Sequence, residues 1–579
     1  MRKLLLTLLF AGGLQTLRAQ EPASGNYRFP VRNVAGYYSA NFGEMRPGHF
    51  HSGVDIKTDG TTGKPVVAAA DGYVVRVAVS PGGYGRALYI AHPDGTTTVY
   101  GHLRRFRTDI ESYLRYKRYE EGRSNVDFVC KPSLFPVRVG DTIALSGNSG
   151  MSFGPHLHFE IRRSSDQRTL NVLAERALPV KDRTAPRIMR LHYIEIDSLG
   201  DVPVYGRRQS CDLARDDSGT YHLRQTQPLA VGRRGYFLLE CSDRKDDVYN
   251  TFGIYRLTGK IDGEVYYEYR MEGFLFSDTR YCNAVSYYPL QLSSRNEVFR
   301  LAQPAGCPDK FYTAMKNRGL LTASAGQRRE VEMTVEDDSG NRSVLRFTVE
   351  GKADERCFRA KRNDTSPVIR HDREFRHESD GVRITIPAGT LYESCFYTQR
   401  PYEKALPKDS ALVFLSRGVT LLDILTPLHR AATVSIEASD VPAPLQPHTI
   451  LASLSHKGTL RYEGGRWSNG RITLSTRSLG TFFVVADTVP PTIRPRFEPT
   501  EMGRRRSITF AIGDNFSGIV RRRCTIDGRM AILEEDRVKG TVTHVFDDEI
   551  FGRNREHTMR IEIADGAGNA TVWEGTYYR

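Results

Sequence analysis

The sequence predicts an all-β chain, with a distinct N-terminal domain followed by several β-sandwich domains. Three observations carry this. Glycine (51) and tyrosine (29) are plentiful, and turn signals recur throughout the 579 residues, as in chains built from many short strands. Segments such as KPVVAAADGYVVRVAVS and ALYIAHPDGTTTVYGHL read as strands, and HPDG within the latter is a hairpin turn. No helical periodicity is sustained beyond residue 183. The length exceeds what one core serves and implies roughly three to five domains of ~100–200 residues. A hydrophobic share of 39% and a charged share of 26% place the chain among folded rather than disordered proteins.

Residues 1–19 read as a signal peptide. Arg2 and Lys3 form the basic start, Leu4 to Gly13 the apolar stretch, and the small residue Ala19 the cleavage position. The stretch is too short to span a membrane, and no later segment reaches the ~20 apolar residues a transmembrane segment needs. No cysteine lies near the cleavage point, which argues against a lipid anchor. The mature chain is therefore expected to be exported, to the periplasm or the cell surface. Loss of Arg2, Lys3 and Arg18 with the leader takes the formal charge from +14 to +11. A basic exported chain suits an anionic surface such as a cell wall, ordinary solubility being the alternative. Export and the lack of a basic helix argue against nucleic acid. The eight cysteines are scattered without a CxxC motif. An isolated bridge such as Cys282 with Cys307 and free buried thiols are both compatible with that spacing.

One punctuation mark recurs beyond residue 180: DRTAPRI from Asp182, NDTSPVI from Asn363 and DTVPPTI from Asp487. Each is a Thr-x-Pro step before an aliphatic residue, placed where proline blunts the first edge strand of a sandwich. A second mark, VEDDSGN at 335–341 and IADGAGN at 563–569, is a strand running into a tight turn. Together they divide the chain into a β-sandwich region at 183–352, long enough for two units, and domains at 365–487 and 488–579. The last two resemble bacterial immunoglobulin-like sandwiches. The acidic clusters CSDRKDD and VEDDSGN are candidate Ca²⁺ ligands, although such turns are common at sandwich ends.

Residues 20–180 carry the chemistry. In GPHLHFE, at 154–160, period 2 points His156 and His158 the same way. In HSGVD, His51 and Asp55 share a face if the segment is extended, and in YGHL Tyr100 and His102 do likewise. Two histidines and a carboxylate form a three-ligand zinc set with one position left for water, and further histidines can serve as base and oxyanion donor. The charged stretch 104–130 looks inserted and part helical.

These residues, with FG at 42–43, KPVVAAADGYV at 64–74, VRVGDTIALSGNSG at 137–150 and GPHLHFEIR at 154–162, resemble the M23 metallopeptidases, the lysostaphin- and LytM-like peptidoglycan endopeptidases. The resemblance implies a mainly antiparallel β peptidase domain over 20–180 whose groove receives an extended peptide. It implies Zn²⁺ held by His51, Asp55 and His158, with His102 and His156 as catalytic histidines sharing base and oxyanion roles toward a zinc-bound water. It gives Glu160 no catalytic part, so a supporting hydrogen bond is expected there, while Tyr100 either contacts the site or packs. Lys64 departs from the family's small or hydroxyl residue, and the 104–130 insert stands as a groove wall, a cover or a solvated decoration. The implied function is an exported zinc endopeptidase acting on the peptide stems of peptidoglycan, at a cross-link such as D-alanyl to a diamino acid. The alternatives are a catalytically silent regulator or wall-binding scaffold, or an adhesion or assembly factor. The C-terminal β domains would then meet an envelope protein partner.

Overall fold

The computed structural model describes residues 27–361 and 365–579, so the leader expected at 1–19 lies outside the described residues. Strands take up 46% of the chain and helices 9%, and the all-β expectation holds.

The N-terminal domain is built on one antiparallel sheet. Its strands are β1 (Tyr38–Ala40), β2 (Val54–Lys57), β3 (Gly72–Val79), β4 (Arg86–Ala91), β5 (Thr96–Gly101), β6 (Val126–Val129) and β7 (His156–Arg163), in the order β1-β2-β7-β5-β4-β3-β6. The β4–β5 turn closes with the Gly95 N–H donating to His92 O, and Gly95 has φ 82°. One face of the sheet is apolar: Ile56, Leu157, Phe159, Tyr100, Leu88 and Val77 pack in a buried core. On β7 the residues between them, His158, Glu160 and Arg162, are polar, so alternation along one strand separates core from chemistry. A small sheet of Pro65–Val67, Thr142–Leu145 and Arg105–Phe106 covers the apolar face.

The insert contains helix α1 (Thr108–Glu120). Asp109 and Glu111 in its first turn and Lys117 and Arg118 in its last complement the helix dipole. Ile110, Leu114 and Arg118, four apart, form its buried face.

Residues 187–351 form two facing sheets with one core between them, Leu191, Phe237 and Leu239 meeting Leu257, Met333 and Leu345. This core does not stop at the domain boundary. Phe42, Met45 and Phe50 of the N-terminal domain lie in it, with Phe50 5.6 Å from Phe274 and 5.1 Å from Phe311 between ring centres. The strand after Pro186, Arg187–Leu199, is an inner strand rather than the blunted edge the Thr-x-Pro step suggested, because Pro186 stands one residue outside it and removes no ladder bond. Thr492–Pro495 does lie at a sheet edge.

Two more two-sheet units follow, with cores of Ile384, Val434 and Phe482, and of Phe510, Ile526 and Ile561. The last unit returns to the first domain and docks on α1. Arg115 donates twice to Asp547 at 2.6 Å, Arg118 pairs with Glu534, and Tyr119 packs against Phe551. All eight cysteines are free, Cys282 and Cys307 included.

Candidate metal centre

The register of the sheet assembles the site. His158 on β7 lies directly opposite Asp55 on β2 and Gly101 on β5. Opposed residues of an antiparallel pair have Cβ atoms ~4.5–5.5 Å apart, so His158 and Asp55 touch without any loop rearrangement. Gly101 leaves the room: a Cβ there would stand 3.3 Å from that of His158. His51 arrives from the segment before β2.

His51 Nε2, Asp55 Oδ1 and His158 Nδ1 converge. Asp55 Oδ1 is 2.8 Å from His158 Nδ1 and 3.2 Å from His51 Nε2, and the two nitrogens are 3.1 Å apart. All three residues are buried. The outer nitrogens fix the tautomers. His51 Nδ1 lies 2.8 Å from the Asn41 carbonyl, and His158 Nε2 lies 2.8 Å from Glu160 Oε1. Both partners only accept, so those nitrogens carry the protons. Three lone pairs are then left facing one another in a buried space. A tetrahedral ion with arms of ~2.0–2.1 Å would set its ligands ~3.3 Å apart, close to what is found, so this donor set fits zinc.

Neighbouring charges set the protonation of the metal-free site, where an ion would displace a proton from His158 Nδ1. Burial pushes His51 down to about 4, against the pull of Asp55. Burial also opposes charge on His158, but Asp55 and Glu160 outweigh it and raise that ring to about 9 when no metal is present. Asp55 resists burial through His51, His156 and His158, and stays well below the usual carboxylate range.

His102 and His156 stand beside the three ligands, their rings 4.7 Å apart. His102 Nδ1 lies 2.8 Å from Ser149 O, and His156 Nδ1 2.8 Å from Gly154 O. Each therefore presents Nε2 as the free nitrogen, and His156 Nε2 lies 3.5 Å from Asp55 Oδ1. Burial, with His156 and His158 beside it, lowers His102 to about 3, so the ring is neutral.

The YGHL expectation needs correction. Tyr100 is in the apolar core and its hydroxyl bonds Ala69 N–H and Thr98, so it packs and does not reach the site. His102 escapes the alternation because β5 ends at Gly101 and His102 itself adopts φ 58°. That left-handed backbone turns the ring toward His156 at a cost of ~1–2 kcal/mol.

Sequence reasoning missed several partners. Arg46 holds Asp55 Oδ2 at 3.1 Å, leaving Oδ1 for the ion. Glu160, wholly buried, accepts from Ser52 (2.7 Å), Tyr84 (2.6 Å) and Arg162 (2.6 Å) as well as His158. Burial opposes its charge, but Arg162 and His158 hold its carboxyl far below the usual range. Arg162 was within reach of the sequence, two residues beyond Glu160 on the same face. Arg46 and Tyr84 lie in motifs with no chemical signature. Lys64 bonds Asn33 O at the surface, away from the centre.

From Tyr84 a groove of about 520 Å³ runs over the polar face of the sheet, past Tyr89 and Arg76. Phe276 of the following unit and Arg123 and Asp127 of the insert line it, so the insert forms part of its wall.

The antiparallel β domain thus brings together a buried His-Asp-His group that could hold a metal ion, with two further histidines beside it. Residues 49–115 match Peptidase family M23, and residues 366–487 match a Zu5-like domain. The N-terminal domain is thus a Peptidase family M23 domain. Over 143 residues the chain is 35% identical to an uncharacterized metalloprotease of Haemophilus influenzae, covering 25% of this chain and 22% of that protein. Over 112 residues it is 35% identical to the DD-carboxypeptidase/endopeptidase Mpg of Neisseria meningitidis serogroup B, covering 19% and 20%. The chain therefore spans about a fifth of these curated relatives. Among solved structures, the lysostaphin catalytic domain from Staphylococcus simulans shares 25% identity over 22% of this chain and 80% of its own, with a TM-score of 0.17. A zinc containing peptidase from Vibrio cholerae shares 27% over 28% and 41%, with a TM-score of 0.20.

Proposed function

We propose that the chain is an exported zinc endopeptidase that hydrolyses peptide cross-links of peptidoglycan. The observation that carries the reading is the convergence of His51, Asp55 and His158 with the free Nε2 atoms of His102 and His156. Zinc in this position would supply Lewis acidity, lowering the pKa of a water and polarising a carbonyl. The chain's own residues do the rest. Asp55 and the two ligand histidines hold the ion, with Asn41, Glu160 and Arg46 fixing their orientation. One of His102 and His156 takes the proton of the attacking water at Nε2 and passes it to the leaving amine, and the other, once its ring carries a second proton, donates from Nε2 to the oxygen on which charge develops. The groove over the polar sheet face receives the peptide in extended form. The leader pattern and the basic charge support export to an anionic wall. No helix among the described residues is long and apolar enough to cross a membrane. The filled set of five positions favours catalysis over a silent regulator.

The test is mass spectrometry of muropeptides after purified peptidoglycan is incubated with zinc-loaded protein. Cross-linked dimers are expected to give way to monomers with the wild type and to persist with His156→Ala. Dimers untouched by a wild type that holds one zinc would refute the reading.

A further inference from the structure

The two acidic turns noted in the sequence meet in the fold. Asp243 follows the strand Arg234–Ser242, Asp337 and Asp338 follow the strand Arg328–Glu336, and both turns close against Asp182. One carboxylate oxygen from each of Asp182, Asp243 and Asp337 lies within 4.8 Å of the other two. The side chains of Asp182 and Asp243 are fully buried, and Asp337 nearly so.

The partners of these groups differ. Asp337 accepts from Ser339 N–H and from Asn341, and Asp182 accepts from Thr184 N–H. Asp243 has no hydrogen bond at either oxygen. A buried carboxylate left so is costly. Burial and the neighbouring carboxylates push it up to about 9, although Lys245 opposes them. Among the described residues, Lys245 Nζ is the one cation paired within the cluster. It sits 2.5 Å from Asp338 and 3.3 Å from Asp182 but 3.8 Å from Asp243, beyond hydrogen-bond distance. Even with Asp243 protonated, one lysine faces the three carboxyls of Asp182, Asp337 and Asp338 in a dry place, and an ion bound there would displace the Asp243 proton.

The last sandwich repeats the same corner and supplies a contrast. Asn569 bonds Asp565 and Asp487 O there, as Asn341 bonds Asp337 and Asp182 O here. There, however, Asp487 accepts from Asn515 and Ser517 N–H, and Asp514 Oδ2 accepts from Phe516 and Gly518 N–H, with Asp514 Oδ1 left bare. The turn alone therefore does not need an ion. What sets the first corner apart is a carboxyl bare at both oxygens, Asp243, against one oxygen of Asp514 in the last.

We infer that Asp182, Asp243 and Asp337 form a second cation site, distinct from the His-Asp-His centre, that takes Ca²⁺. An all-carboxylate donor set suits a hard cation, whereas zinc favours nitrogen and sulfur. Oxygens sharing a Ca²⁺ at ~2.3–2.6 Å lie at most ~5 Å apart, which the cluster satisfies. The site also touches the hydrolytic centre. Asp338 Oδ2 accepts from Asn41 Nδ2 at 3.1 Å, and the Asn41 carbonyl holds His51. An ion there would lock the seam between the two domains behind a zinc ligand.

The experiment uses full-length protein, stripped with chelator, reloaded with one equivalent of zinc, and titrated with CaCl₂ by calorimetry while Tm is followed. One further equivalent is expected to bind with Kd of order 10⁻⁴–10⁻³ M or tighter, as in extracellular calcium modules, with Tm rising. Asp243→Asn should weaken Ca²⁺ at least tenfold while one zinc remains bound. Lys245→Gln removes the competing charge and should tighten it, which keeps the test decisive should Asp243→Asn fail to fold. No Ca²⁺ uptake and no Tm shift at millimolar Ca²⁺ in either the wild type or Lys245→Gln would overturn the proposal. So would affinity unchanged in a folded Asp243→Asn.

Discussion

His158 shows how much one side chain is asked to do: Nδ1 faces Asp55 and His51 while Nε2 is held by Glu160. Glu160→Gln keeps the shape but loses the charge, and Gln can present a donor to Nε2 in place of the acceptor. Zinc affinity should fall ~10–100-fold with the fold intact, as zinc titration with a competing chelator would report. His102→Ala should leave zinc bound and lower kcat ~10²–10⁴-fold, the usual share of a general base or acid. An equal loss of zinc in that variant would make His102 a ligand instead. The His-x-His pair and HSGVD were legible because strand alternation and ligand chemistry both mark them. Arg46 and Tyr84 were not, since each reaches the site from a segment whose sequence says nothing of its target. Tyr100 and His102 misled because alternation was carried one residue past the end of its strand, across a left-handed backbone that side-chain spacing does not reveal.

At the scale of elements, β7 is the organiser: its register against β2 and β5 sets Asp55 and Gly101 beside His158. The insert is the element whose role could not be read ahead. Its helical part was visible in composition, but its docking depends on Asp547 and Glu534, more than 400 residues away in sequence. Arg115 and Arg118 face opposite carboxylates, and Arg118 is buried, so losing both takes the guanidinium from Asp547 and leaves Glu534 to Arg86. In Arg115→Ala/Arg118→Ala, amide exchange over 533–551 should rise at least tenfold, equivalent to ~1.4 kcal/mol of lost protection, with zinc content unchanged. Exchange unchanged in that double variant would show that the contact does not hold the last unit to α1.

Across the whole molecule, the N-terminal domain is not a free-standing bead. Phe42, Met45 and Phe50 are buried in the core of the next unit, and Glu297 of that unit accepts from Met45 N–H (2.8 Å) and Ile254 N–H (3.1 Å). The recurrent turn marks were legible in the sequence; the shared core was not, because no periodicity tells which apolar residues meet across a boundary. Burial raises Glu297 to about 8, with Glu44 adding to it against the two backbone donors. A raised carboxyl favours the folded state below its unfolded value of ~4.5, and that stability is lost as pH climbs through about 8. The urea midpoint should therefore fall between about pH 5 and pH 8 more steeply in the wild type than in Glu297→Gln, and parallel profiles would count against this link. X-ray absorption at the zinc edge of stoichiometrically loaded protein reads the ligands of the metal centre directly. Two imidazole nitrogens and carboxylate oxygen around the ion are predicted, with no sulfur. A sulfur shell from the free thiols, or an ion without imidazole ligands, would contradict that ligand set.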